Sequence, residues 1–222
     1  MGIPNVDVSA CHQRYHLMPV TVITYNPRMG RWEPNARGRL AKAALELYSE
    51  RGYEQTTVAE IAKRAGLTER TFFRHYADKR EVLFDGSHIL KELFASAVAG
   101  APESAAPIDV IAAGLAAVST VFADRREHFR QRQAVVVANA ELQERELIKL
   151  ASMSAALADA LHGRGVAEPA ASLTAEAGIA VFKVGFERWI AANEEREMSQ
   201  LMRESLDELK AVTAGGYGAD RQ

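Results

Sequence analysis

Cysteine is nearly missing from this chain: Cys11 is the single example in 222 residues. One thiol cannot close an intramolecular disulfide, which excludes a disulfide-stapled scaffold and suits a reducing compartment. Proline (7) and glycine (15) are sparse and clustered, leaving long uninterrupted stretches for helices. No apolar run approaches the ~18 residues that a membrane span needs. The first residues lack a basic segment followed by an apolar core, so no secretory signal is expected and the expected location is the cytoplasm. Also missing are G-x-G-x-x-G, the P-loop and G-x-S-x-G, so no nucleotide cofactor and no hydrolase nucleophile are implied. Neither catalytic nor metal-ligating residues are assigned.

Charge is nearly balanced overall, with 27 Lys/Arg against 29 Asp/Glu, but it is unevenly placed. Residues 31–80 carry 11 Lys/Arg against 7 Asp/Glu, whereas residues 81–222 carry 14 against 21. A basic module thus precedes an acidic body, a distribution suited to nucleic-acid binding at one end only.

The basic stretch contains the most informative segment, residues 57–76, TVAEIAKRAGLTERTFFRHY. Thr57 and Glu60 have the spacing of a capping box. Val58, Ile61, Ala62 and Ala65 follow as one apolar stripe, and Gly66 can end that helix in the left-handed conformation. Thr68 can cap a second helix, in which Phe72 and Phe73 provide apolar anchoring between Arg70 and Arg74. Asp78 and Glu81 repeat the capping-box spacing, so a further helix is expected from Asp78 with Val82, Leu83, Leu90, Leu93 and Phe94 facing inward. The reading is two short helices joined by a tight turn, the second able to enter a major groove.

The rest of the chain reads as an all-α protein. Residues 1–33 form an irregular extension, expected to be disordered; Val20 to Tyr25 is a β-like run with no nearby partner, and Met18 or Met29 are alternative starts. Pro34 and Asn35 precede a helix expected to run to about Arg51. Residues 100–109, with two prolines, read as a linker ahead of a regulatory and dimerisation domain over 108–213, with residues 214–222 as a tail. Within that domain, Ile111, Leu115, Val118, Val121 and Phe122 form an apolar helix. Leu147, Leu150, Met153, Leu157 and Leu161 repeat at helical spacing, as do Ile179, Phe182, Phe186, Trp189 and Ile190. Phe122, Phe129, Met153, Phe182, Phe186 and Trp189 fit either an apolar ligand pocket or ordinary bundle core. Arg125, Arg126, Arg130 and Arg132 fit either an anionic head group or a solvated helix face.

Residues 34–94 resemble the N-terminal domain of the TetR family of one-component transcriptional regulators. The match lies in TTVAEIAKRAG, TERTFFRHY and ADKREVLF, with Thr71, Phe73, His75, Tyr76 and Lys79 in register with the family pattern. The resemblance implies a three-helix DNA-binding domain with a helix-turn-helix, then a C-terminal helical bundle for ligand binding and dimerisation. It implies a homodimer on near-palindromic double-stranded DNA, its dimer interface built from the last two long helices over 171–193 and 199–212. Residues 139–146, 157–165 and 182–190 resemble a subgroup with an acyl-CoA-like ligand-binding domain, which points to a repressor released by a small hydrophobic or acyl-type effector.

Roles within the motif follow from chemistry and from that resemblance together. Arg70 can read guanine through its O6 and N7 acceptors, and Thr71 can meet a base or a phosphate. Glu69 can accept from cytosine or offset local positive charge. Thr57 and Thr68 lie at helix starts, where backbone N–H groups favour anions. The resemblance places Phe73 and His75 along the DNA backbone and Lys79 on a phosphate, while Arg74 adds positive charge; Tyr76 fits core or contact. Two competing classes are a helical-bundle enzyme, suggested by the pairs Asp85/His88 and Asp159/His162, and a DNA binder without ligand control.

Overall fold

The computed structural model describes residues 35–192 and 196–215, which belong to one compact unit. The expectations for residues 1–33 and for the residues after 215 lie outside the described residues. Among the described residues every regular element is helical.

The head begins with α1 (Ala36–Arg51), capped by the Asn35 side chain accepting from the Gly38 amide at 2.8 Å. The helix-turn-helix consists of α2 (Val58–Arg64) and α3 (Glu69–His75). The α2 capping box is reciprocal: Thr57 Oγ1 accepts from the Glu60 amide, and the Glu60 carboxylate accepts from the Thr57 amide. At its other end Gly66 adopts φ +65°, its amide donating to Lys63 and the Leu67 amide to Ala62, the two bonds of a Schellman motif. Leu40, Leu47, Ile61 and Phe72 are fully buried and hold the three helices together.

A continuous helix from Asp78 does not form. Asp78 does accept from the Arg80 and Glu81 amides, but the Glu81 carboxylate does not return to it. Two cations further along the chain, Arg145 and Lys149, hold that carboxylate instead. The segment makes a short 3-10 turn (Glu81–Phe84), breaks at Gly86 with φ +84°, and restarts as α4 (Ser87–Ala99).

The body comprises α4, α5 (Pro107–Ser119) with a 3-10 extension (Thr120–Phe122), α6 (Arg126–Val137), α7 (Ala140–Gly163), α8 (Ala170–Ala191) and α9 (Met198–Thr213). Helix α5, nearly all apolar, packs on α4, α8 and α9, with Ile111, Leu115 and Val118 buried in the shared core. Residues 107–109, expected in a linker, form the first turn of α5, with Pro107 at a position where its missing N–H costs nothing. Leu147, expected inward, is exposed, because the buried seam of α7 runs through Leu142, Met153, Leu157 and Leu161.

Head and body share apolar packing. Val135, Val136 and Leu142, at the α6–α7 corner, join the cluster that contains Leu40, Leu47 and Phe72.

Candidate nucleic-acid interface and adjoining cavity

Helix α3 stands on Phe72 and Tyr76, which are buried; Tyr76 donates its hydroxyl to the Arg37 carbonyl at 3.2 Å. Thr68 caps the helix, its Oγ1 accepting from the Thr71 amide at 3.2 Å, and the two hydroxyls lie 3.1 Å apart. Glu69, Arg70, Phe73 and Arg74 are exposed, Phe73 to 55%. Phe73, expected to help anchor the helix, touches Phe72 only edge-on at 5.5 Å and is otherwise presented to solvent. Thr71 and His75 are half-buried, and His75 Nε2 is buried with no hydrogen-bond partner.

Four arginines of the head outside α3 are held by carboxylates. Arg37 holds Asp85, Arg51 holds Glu60, Arg64 holds Glu50 bidentately, and Arg80 holds Asp78. Burial pushes the Asp78 carboxyl up, but hydrogen bonds from Arg80 and two backbone amides outweigh it, and the group stays below its ordinary value. Arg70 and Arg74 have no ion pair or hydrogen bond among the described residues. Both are exposed on α3, the second helix of the helix-turn-helix.

Lys79 is placed differently from the expectation of a phosphate contact. Its ammonium donates to the carbonyls of Tyr53 (3.0 Å), Thr56 (3.2 Å) and Glu54 (3.4 Å), and lies 4.2 Å from the centroid of the Tyr53 ring. An ammonium has three N–H donors, and all three are directed into the α1–α2 turn. The side chain is a clamp on that turn.

Between head and body lies a cavity of about 650 Å³, within the range of small-molecule sites. Phe122, Phe129, Met153, Phe182 and Phe186 line it. Trp189 does not: it is buried behind them, 5.8 Å from Phe122 and 6.1 Å from Phe129 between ring centroids, with the Arg126 guanidinium over its face. Of the basic stretch, Arg125 and Arg132 line the cavity. Arg130 is held by the carbonyls of Ile190 and Ala192, and Arg126 donates to the Arg196 carbonyl.

Arg37, Lys42, Arg125, Arg132, Lys149 and Lys183 line the cavity together with Asp85, Glu146 and Glu187. Most of these cations are paired: Arg37 with Asp85, Arg132 with Glu146 and Lys149 with Glu81, while Lys42 lies 3.9 Å from Glu46; among the described residues Arg125 and Lys183 hold no carboxylate. Burial, and then the neighbouring Arg125 and Arg132, hold the His128 imidazole below its ordinary value.

The contacts that tie this region together are not legible from sequence, where Glu81 reads only as a capping residue. Glu81, Arg145 and Lys149 tie the 3-10 turn to α7; Arg80 and the Tyr53 hydroxyl both reach Glu141, at 3.1 and 3.2 Å. Their separations of 60 to 90 positions leave no local signal. The Asp-x-x-His pairs serve other ends: Asp85 pairs with Arg37, and His162 lies 3.0 Å from Glu168. Among the described residues no group of three or more His, Cys, Asp or Glu could hold a metal ion, and no single helix is long and apolar enough to cross a membrane.

A capped helix-turn-helix joined to a cavity-bearing helical body defines the class of this protein. It belongs to the tetR family of bacterial regulatory proteins: residues 40–85 match the family's N-terminal domain, and residues 105–214 match the MftR C-terminal domain. The chain is 38% identical over 82 residues to the HTH-type transcriptional regulator TcmR of Streptomyces glaucescens, covering 37% of this chain and 36% of that one. It is 29% identical over 121 residues to MftR of Mycobacterium tuberculosis (strain ATCC 25618 / H37Rv), described as a regulator of mycofactocin biosynthesis, covering 54% of this chain and 60% of the relative. The matches therefore span less than two thirds of either relative. Among solved structures, FadR from Bacillus subtilis in complex with stearoyl-CoA superposes with a TM-score of 0.53 at 18% identity, covering 78% of this chain and 96% of that one. At that identity the likeness concerns the fold.

Proposed function

We propose that this chain is a sequence-specific DNA-binding transcriptional regulator, a homodimeric cytoplasmic repressor without enzymatic activity, released from a near-palindromic operator by a small hydrophobic or acyl-type effector. The observation that carries the reading is the contrast in charge pairing: four arginines of the head hold carboxylates, while Arg70 and Arg74 on α3 hold none. Unpaired guanidiniums on an exposed, capped helix are free to meet phosphates and base edges. Glu69, Thr71 and Phe73 share that helix, and Thr57 and Thr68 direct two helix starts toward the same anionic backbone.

A single small head makes few phosphate contacts, and a dimer doubles them on a two-fold operator. Helices α8 and α9 are assigned the dimer contact. Phe122, Phe129, Met153, Phe182 and Phe186 are assigned the effector, with Trp189 supporting them from behind; FadR of B. subtilis is described with an acyl-CoA bound. The effector acts by binding better to the state whose heads are misplaced for successive major grooves, and only by that difference in affinity.

Selection of bound DNA from random fragments tests the reading and supplies the operator. Arg70→Ala is expected to lose about 1–3 kcal/mol of discrimination at one operator position. Equal losses across all operator variants would remove Arg70 as a base reader, and failure to enrich any sequence would overturn the proposed function.

A further inference from the structure

Arg132 belongs to the cavity wall and to the head–body joint at once. Its Nε donates to the Leu83 carbonyl in the 3-10 turn of the head at 2.9 Å. Its Nη1 donates to Glu146 of α7 at 2.8 Å and to the neighbouring Gln133 at 3.0 Å, while Gln133 donates to the other Glu146 oxygen at 3.3 Å. The guanidinium also lies 4.9 Å from the centroid of the Phe84 ring. Its side chain is only 13% exposed, so this is the most enclosed ion pair of the joint.

One part of the fork is left over. Nη2 makes no hydrogen bond among the described residues, yet it is not among the buried atoms lacking a partner, so it remains reachable. Arg132, Glu146, Leu83 and Phe84 all line the cavity, next to Arg125 and the aromatic wall. A planar anion binds a guanidinium best through two adjacent N–H groups. On the Nε/Nη2 edge of Arg132 it would gain the open Nη2 and compete for Nε with Leu83. That competition is unequal, because a hydrogen bond from a cation to an anion is stronger than one to a neutral carbonyl.

We propose that Arg132 selects an amphiphilic anion for this cavity and relays its arrival to the DNA-binding head, the anion taking the Nε/Nη2 edge and the Leu83 carbonyl losing its donor. The apolar chain of the ligand lies along Phe122, Phe129 and Phe186, and Arg125 and Lys183, which line the cavity and hold no carboxylate among the described residues, favour its negative head group. Loss of the Leu83 bond loosens the turn over residues 81–84, which links α3 to α4. Glu146 keeps Nη1 throughout and holds the guanidinium in place. This rests on the effector cavity assigned above and adds the charge of the ligand and the residue through which it acts.

The test uses the full-length protein with two probes of equal chain length, dodecanoate and dodecan-1-ol. Calorimetry reads binding, and amide hydrogen exchange over residues 81–87 reads the joint. Dodecanoate is expected to bind about 10-fold tighter than the alcohol, the worth of one charge-assisted hydrogen bond, and to accelerate exchange in that segment. Glu146→Gln removes the neighbouring negative charge while keeping Arg132 on Leu83, so dodecanoate should bind more tightly than to the wild type; a merely destabilising change would weaken it. Arg132→Lys keeps the charge without the fork, so exchange should be fast already and unresponsive to dodecanoate. Equal affinity for acid and alcohol, or unaltered exchange at saturating dodecanoate, overturns the relay and leaves the cavity as an effector site. No binding of either probe overturns the relay together with the assignment of the cavity to acyl-type effectors.

Discussion

At the scale of single residues, Lys79 and Arg70 illustrate how position decides the role of a cation. Both lie in the basic stretch, but the Lys79 ammonium is saturated by three carbonyls while Arg70 has no ion pair or hydrogen bond among the described residues. Lys79→Ala would take the ammonium from the Glu54 and Thr56 carbonyls, leave the Tyr53 carbonyl only the Thr56 amide, and remove the charge from the Tyr53 ring. The expected cost is about 1–3 kcal/mol of stability, seen as a lower urea midpoint, with little change in the salt dependence of DNA binding. A fall in the salt slope of about one unit with unchanged stability would restore the phosphate role. Nothing in the residue's spacing distinguishes these roles, because the accepting carbonyls lie 23 to 26 positions away.

At the scale of elements, the head follows its local signals closely. Capping residues, an apolar stripe and a turn glycine act within four or five positions, so the bounds of α2 and α3 are legible in sequence. The segment after α3 is not, since Glu81 answers to cations on α7 rather than to its own helix start. In the body, helix contacts hinge on small residues whose importance is invisible from composition. Gly114 of α5 faces the Phe94 ring of α4, and a Cβ there would lie 2.0 Å from a ring carbon. Gly114→Ala therefore overpacks the α4–α5 contact despite its better helix propensity, and should cost about 1–3 kcal/mol. Thermal denaturation of the variant checks this, and an unchanged or raised midpoint would show that Phe94 moves aside freely.

At the scale of the whole molecule, the head and the body are expected to melt as one unit, because they share a core. Val136 of α6 is fully buried in the cluster that holds α1 and α3 together, far along the chain from the recognition helix. Truncation by Val136→Ala should destabilise by about 2 kcal/mol and lower the unfolding midpoint reported by head and body alike. Site-specific probes in α3 and α8, followed through one urea titration, check it; a head transition separating from the body would show the two to be independent. The Arg80, Glu81 and Arg132 contacts add polar register to that apolar joint, so a disturbance in the cavity has a physical route to the head.

The helical class, the capped helix-turn-helix and the cationic face of α3 were determined by the sequence alone, because each depends on residues a few positions apart. Part of the aromatic set of the body was also legible, since helical periodicity placed Phe182, Phe186 and Trp189 on one face. Which of them line a cavity, where that cavity opens, that Lys79 turns inward and that Arg132 bridges cavity and head were decided only by the tertiary structure. These features depend on side chains dozens of positions apart meeting at one point, and burial and charge neutralisation there are properties of the assembled fold.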